Sequence, residues 1–195
     1  MTNAEPPVHL RDPALMRALA HPARLAIMGY LGTGAAATAT ECAEIVDLSP
    51  SATSYHLRAL AKVGLVQEAP SRGDGRERVW ITALDRYQVA SDQTTDPDVR
   101  AAEDQLVEAF LLLHEDRVRT FMAHREQEPP EWYRVATFSE STLELTADEL
   151  AALNDKIQEL VEPYRSGQRR RPPDGARTVS LVYRAFPLPK RDVKR

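Results

Sequence analysis

The stretch from Leu48 to Leu65, LSPSATSYHLRALAKVGL, constrains the fold more than any other part of the chain. Ser49 can cap a helix by accepting a hydrogen bond from a free N–H of the first turn. Pro50 then falls at the first helical position, where its missing N–H costs nothing. Thr53, Leu57 and Leu60 recur at spacings of four and three and share one helix face. Lys62 lies in the last turn, and Gly64 just beyond it suits a helix C-terminus. The other face carries Ser51, Ser54, Tyr55, His56 and Arg58. It is short, polar and mostly uncharged, so it can donate and accept hydrogen bonds at base edges in a major groove.

The flanking residues present this helix. Asp12-Pro13 and His21-Pro22 each read as an N-cap followed by a first helical residue. The two helices have apolar sides from Leu15, Met16 and Leu19, then Leu25, Ile27, Met28 and Leu31. Residues 1–11 read as a loose arm, and Gly32 to Ala39 as a loop. Thr38 and Glu41 have capping-box spacing and open a third helix, with Cys42, Ile45 and Val46 as inward candidates. Asp47-Leu48 then turns the chain into the Ser49 helix. Two short helices joined by a tight turn make a helix-turn-helix pattern. Two strand-like runs follow, Leu65 to Ala69 and Glu77 to Thr82. The second alternates Val79 and Ile81 against Arg78 and Trp80. The turn between them holds Gly73 and Gly75, so the pair reads as a hairpin, or wing. Arg72, Arg76 and Arg78 flank its tip and can approach phosphate or a narrow minor groove.

Three ordered motifs carry a resemblance: Ala18 to Ile27 (ALAHPARLAI), Leu48 to Val66, and Gly75 to Thr82 (GRERVWIT). Together they resemble the ArsR/SmtB family of winged-helix repressors over about residues 12–84. The resemblance implies a homodimer that binds a double-stranded DNA operator and is released by an effector. It places Thr53, Leu57 and Leu60 in the core. Tyr55 stands where many relatives carry Arg, and Ala52 where many carry a polar residue, which favours apolar contact with thymine methyls. The family's thiolate metal site uses paired cysteines, but the equivalent positions here hold Glu44 and Val46. Cys42 is the single cysteine and lies elsewhere on that helix. A soft metal wants several thiolates or imidazoles. The family's other metal site lies on the C-terminal helix. Here His114 and His124 are ten residues apart, about 15 Å along a helix, and Leu112 replaces the expected Asp. No metal or other cofactor is expected.

From Ser91 the composition shifts, which divides the chain into residues 12–90, a winged helix-turn-helix DNA-binding domain, and residues 91–195, a dimerisation or effector domain. Asp96-Pro97 opens a helix from residue 98 to about 126, roughly 40 Å long. Its apolar stripe includes Val99, Leu106, Val107, Phe110, Leu111, Leu113, Val118, Phe121 and Met122, wide enough to touch two surfaces, such as its own domain and a second subunit. Beyond it, Trp132 to Phe138, Thr142 to Leu145 and Thr178 to Phe186 alternate like strands. Thr146 and Glu149 form a second capping box ahead of the stripe Leu150, Leu153, Ile157, Leu160 and Val161. The expected fold class is therefore α+β: a winged domain, a long dimerisation helix and a small β-β-α-β unit.

Charge is uneven. The overall net charge is −4, but residues 91–164 hold 18 acids against 6 bases, a net of −12, and residues 165–195 hold 10 bases against 2 acids, a net of +8. A lone cysteine excludes an intramolecular disulfide and fits a reducing cytoplasm. The apolar runs are too short to span a bilayer, and the first residues lack a basic segment followed by an apolar core, so neither a membrane nor secretion is expected. No nucleophile elbow, phosphate loop or paired-carboxylate motif supports an enzyme. The DNA-binding expectation rests on Ser51, Ser54, Tyr55, His56, Arg58, Arg72, Arg76 and Arg78, in a homodimeric repressor acting at an inverted repeat. Two alternatives stand beside it. One is a winged-helix protein–protein module that binds no DNA. The other is a regulator whose second half forms a small-molecule pocket lined by groups such as Trp132, Tyr133, Phe138, Tyr164 or Tyr183.

Overall fold

A computed structural model of the 195-residue chain describes residues 8–72, 77–84, 87–89, 96–165, 169 and 171–189. Proline-led caps start most of its helices. Asp12 accepts from Ala14 N–H at 2.8 Å ahead of α1 (Pro13–Leu19), and His21 Nδ1 accepts from Ala23 N–H at 3.1 Å ahead of α2 (Pro22–Leu31). The Thr38–Glu41 capping box forms at the head of α3 (Ala39–Val46). Ser49 caps α4 (Pro50–Lys62), accepting from Ala52 N–H at 3.2 Å.

The α3–α4 turn depends on Asp47, whose backbone is left-handed at φ 50°. An aspartate tolerates that conformation better than most residues. It lets the Asp47 and Leu48 N–H groups both bond back to Ala43 O, so α3 ends cleanly and α4 leaves at an angle. Gly64, at φ 75°, ends α4 in the same way and returns the chain into β3 (Val66–Ala69).

β3 pairs antiparallel with β4 (Val79–Thr82), from Val66 opposite Thr82 to Ala69 opposite Val79. This is the expected wing. Its sheet has a third strand, β2 (Ala37–Thr38), inside the segment expected to be a loop; Ala37 lies opposite Trp80. β4 is therefore central, with order β2-β4-β3. Both Val79 and Trp80 are buried, so Trp80 is core rather than outward-facing. A further pair joins β1 (Val8–Leu10) in parallel to β5 (Tyr87–Val89), tying part of the expected N-terminal arm to the fold.

Leu57, Leu60, Leu65, Ile27, Leu31 and Leu19 are fully buried in one core. Each contributes about 1.5–3 kcal/mol relative to exposure. Cys42 faces this core as expected, but Ile45 is exposed, because α3 is short and its turn carries that face into solvent. The long helix α5 (Pro97–His124) continues as a 3-10 turn over Arg125–Gln127. Ala102, Leu106, Ala109 and Leu113 are its buried side chains, and it packs on α1 and α2. The small alanines allow close approach, and Arg17 pairs with Asp98 across the α1–α5 contact. By packing, α5 thus joins the first compact unit, which extends to Tyr133, although composition alone puts a boundary at residue 90.

The second compact unit spans Arg134–Arg195. It holds α7 (Ala147–Val161), started by the expected Thr146–Glu149 capping box, and a 3-10 turn over Glu162–Tyr164. The expected β-β-α-β arrangement is not present among the described residues. Trp132 and Tyr133 lie in a short helix, α6 (Pro130–Val135), because Pro129 O accepts the N–H groups of both residues at 2.9 and 3.0 Å. Residues 136–146 and 176–189 belong to no strand. Alternating side chains suit a strand, but a strand forms only where a neighbouring backbone bonds to it. The domain nevertheless has the expected α+β class: a winged helix-turn-helix built from α2, α3, α4 and the β2-β4-β3 sheet.

Candidate nucleic-acid interface

α4 presents one exposed face. Ser51, Tyr55, Arg58 and Lys62 are exposed and Ser54 is half-exposed, while Thr53, Leu57 and Leu60 turn inward. Thr53 Oγ1 donates to Ser49 O at 3.1 Å, which satisfies a hydroxyl that would otherwise be buried unpaired. Tyr55 is the most prominent group, 62% exposed despite its size. Arg58 Nε donates to Ser54 O at 3.2 Å, so the guanidinium lies back along the helix and is held near Tyr55 and Ser54. Lys62 extends the same face one turn beyond Arg58. Sequence reasoning treats it only as a helix-ending residue, although its i+4 spacing from Arg58 is the signal that places it there.

His56 does not belong to this face. It is 8% exposed and lies beneath the helix. Its ring centroid is 4.6 Å from that of His21 and 5.6 Å from that of Tyr55. The sequence carries the reason, since 53, 56, 57 and 60 form one stripe at helical spacing, and a polar side chain alone does not move a residue off it. His56 Nδ1 is buried without a hydrogen-bond partner among the described residues. Burial, then the charges of His21 and Arg24, hold its pKa below the ordinary histidine value. His21 is held low by burial and by Arg24. Because His21 Nδ1 accepts the Ala23 N–H, the capping form of the ring is the neutral one.

The wing arginines are engaged. Arg72 Nη1 pairs with Glu41 Oε1 at 3.0 Å, and Arg78 Nη1 with Glu68 Oε1 at 3.0 Å. Glu41 also caps α3, and the Thr38 N–H, aided by Arg72, holds its carboxyl below the usual range. Both ion pairs are solvent-exposed and therefore weak, so a phosphate can compete for the cations. Arg76 lies outside the described residues. The wing thus keeps basic groups at its base, but each begins as a partner to a carboxylate.

Cys42 is fully buried, and burial together with Glu41 pushes its thiol up to about 11. The native protein is therefore expected to resist alkylation by iodoacetamide at pH 7.5 and to react only when unfolded; rapid native labelling would show that the site opens. Among the described residues no three His, Cys, Asp or Glu side chains gather as a metal site. His124 Nδ1 bonds to Thr120 O at 2.8 Å within its own helix. Tyr133, Phe138, Tyr164 and Tyr183 are 41–68% exposed. An open groove borders Pro22 on α2 and Glu108, Ala109 and Leu112 on α5. No described helix is long and apolar enough to cross a membrane.

A helix-turn-helix domain family model matches residues 19–68, from the end of α1 into β3. No curated protein matches the chain. Among solved structures, ZitR of Lactococcus lactis, a mutant in apo form, overlays with TM-score 0.29 at 18% identity, covering 73% of this chain and 81% of that one. A mutant MarR of E. coli complexed with operator DNA overlays with TM-score 0.31 at 17% identity, covering 77% and 85%. At these scores neither overlay carries an argument about activity.

Proposed function

We propose that the chain is a sequence-specific DNA-binding transcriptional regulator of ArsR/SmtB type, acting as a homodimeric repressor at an inverted-repeat operator. The single observation that carries this is the exposed face of α4. Ser51, Ser54, Tyr55, Arg58 and Lys62 have no core role, yet they are displayed together by a helix held rigidly on its other side and flanked by a wing. Ser51, Ser54 and Tyr55 are suited to base edges, and Arg58 and Lys62 to phosphates. The outer face of α5 supports a second copy. Val107, Leu111, Val118 and Met122 lie at spacings of four, seven and four and are 40–44% exposed, while the opposite face is spent on α1 and α2. Two-fold symmetry then places the two α4 helices in successive major grooves, with half-site centres about 34–36 Å apart.

A gel shift with the DNA flanking the protein's own gene tests this. The expected result is a discrete complex whose affinity falls at least tenfold between 50 and 200 mM salt, because phosphate contacts release counterions. No complex, or one indifferent to salt, would reject DNA binding and favour a protein–protein role for the domain.

A further inference from the structure

The second compact unit contains secondary structure but almost no interior. Along α7, Leu153 and Ile157 are half-buried, and no described residue from 134 to 189 is buried. Phe138, Leu143, Leu160, Val179, Leu181 and Phe186 each expose 59–71% of their surface. The unit is nevertheless organised. A capping box starts α7, Arg165 bonds Gln158 and Glu162, and Tyr183 Oη donates to Asn154 Oδ1 at 3.1 Å. The segments 136–146 and 176–189 are laid out with strand-like alternation but form no ladder, either with each other or with another described segment. A unit that buries so little does not offset the entropy of ordering its chain. Its apolar side chains and backbone edges therefore need a further surface.

From this layout we propose that the missing surface is the same unit of a second copy: residues 136–146 and 176–189 pair across the dimer into an intermolecular sheet that covers the apolar stripe of α7. This rests on the homodimer proposed above and specifies what its second half does. The occupant follows from self-complementarity. α7 carries Asp148, Glu149, Asp155 and Glu159 against Lys156, whereas the final extended segment and its approach carry Arg171, Arg177 and Arg184 against Asp174. Tyr183 already sets the basic segment on the α7 of its own copy, so the charges balance within each unit, and in a two-fold contact each unpaired edge meets an edge of the same kind. The six side chains named above expose on the order of 600 Å² of apolar surface, close to the roughly 800 Å² per partner of an ordinary stable interface.

Amide hydrogen exchange on the full chain tests this, at one concentration where light scattering gives a dimer and one where it gives a monomer. Peptides from 136–146 and 176–189 are expected to exchange at least tenfold more slowly in the dimer. Rapid exchange in a dimer overturns the intermolecular sheet but leaves the homodimer standing. Slow exchange in the monomer also overturns it, because the strands then pair within one chain. A chain that is monomeric at every concentration overturns both readings. For a dimer that survives dilution, wild-type chain is unfolded in urea and refolded together with an isotope-labelled Val179→Lys/Leu181→Lys variant so that mixed dimers form. Faster exchange in residues 136–146 of the wild-type partner supports pairing between copies, and unchanged exchange there overturns it.

Discussion

Replacing Tyr55 and Arg58 together by alanine is expected to lower operator affinity by a hundredfold or more while leaving the thermal midpoint of the protein nearly unchanged. Both residues are exposed, and neither packs in the core. Exposed substitutions of this kind usually alter stability by less than about 0.5 kcal/mol. Their loss from an interface is a different matter. Each base or phosphate contact is worth about 1–3 kcal/mol and occurs twice in a symmetric dimer, so even the low end of that range exceeds a hundredfold in affinity. Tyr55 offers the largest exposed surface on α4, and Arg58 the cation held beside it by the Ser54 carbonyl. Fluorescence anisotropy with a labelled operator, run beside thermal melts of both proteins, separates the two effects. Unchanged affinity would move the reading face elsewhere. Equal losses in affinity and stability would mean that the residues support the fold rather than the contact.

Acidification is expected to loosen the seat of α4. His21 and His56 lie side by side beneath it with their rings tilted by 46°, and both bind protons less readily in the folded protein than in the unfolded chain. The charged groups acting on His56 are His21 and Arg24, both of which oppose a second positive charge. As pH falls through about 6.5, the unfolded state takes up more protons than the native state, so stability drops. Well above that pH both rings are neutral in either state, and the effect vanishes. The slope is at most about 1.4 kcal/mol per pH unit for each ring. Protonating His21 at Nδ1 also removes its acceptor from Ala23 N–H and places a cation at a helix N-terminus, where the helix dipole disfavours it. Urea melts at pH 5.0, 6.0 and 7.5 should show this decline. His21→Asn retains a capping oxygen but does not titrate, and should make the profile shallower, leaving the part that His56 contributes. An equal slope in that variant would remove His21 from the account. The lowered carboxyls of Glu41 and Glu149 lose their contribution in a separate window, below about pH 4.5.

Much of the winged domain is legible in the sequence because local devices and periodic burial agree there. Asp12-Pro13, His21-Pro22, Ser49-Pro50 and Asp96-Pro97 all start helices as their chemistry predicts. Capping satisfies backbone groups within a few residues, so nearby sequence is enough to encode it. The core stripe of α4 is legible for the same reason. The misreadings are of another kind. His56 has the polarity of a surface residue but the position of a core residue, and helical spacing prevails. Trp80 alternates like an outward residue, yet it and Val79, which point to opposite faces, are both buried, so both faces of β4 are covered there.

What the sequence determined by itself is the order and starting points of α1 to α5 and α7 and, His56 apart, the face that α4 presents. Caps, turn glycines and 3.6-residue periodicity act over one or two turns and need no distant partner. Only the tertiary structure decided that β2 joins the wing, that α5 packs with the winged domain, and that Arg72 and Arg78 begin in ion pairs with Glu41 and Glu68. Those outcomes depend on groups many residues apart meeting in space. In residues 136–146 and 176–189 the strand pattern is present, but among the described residues no second segment forms a ladder with it. A strand is a property of two segments, and alternation in one of them cannot supply the other.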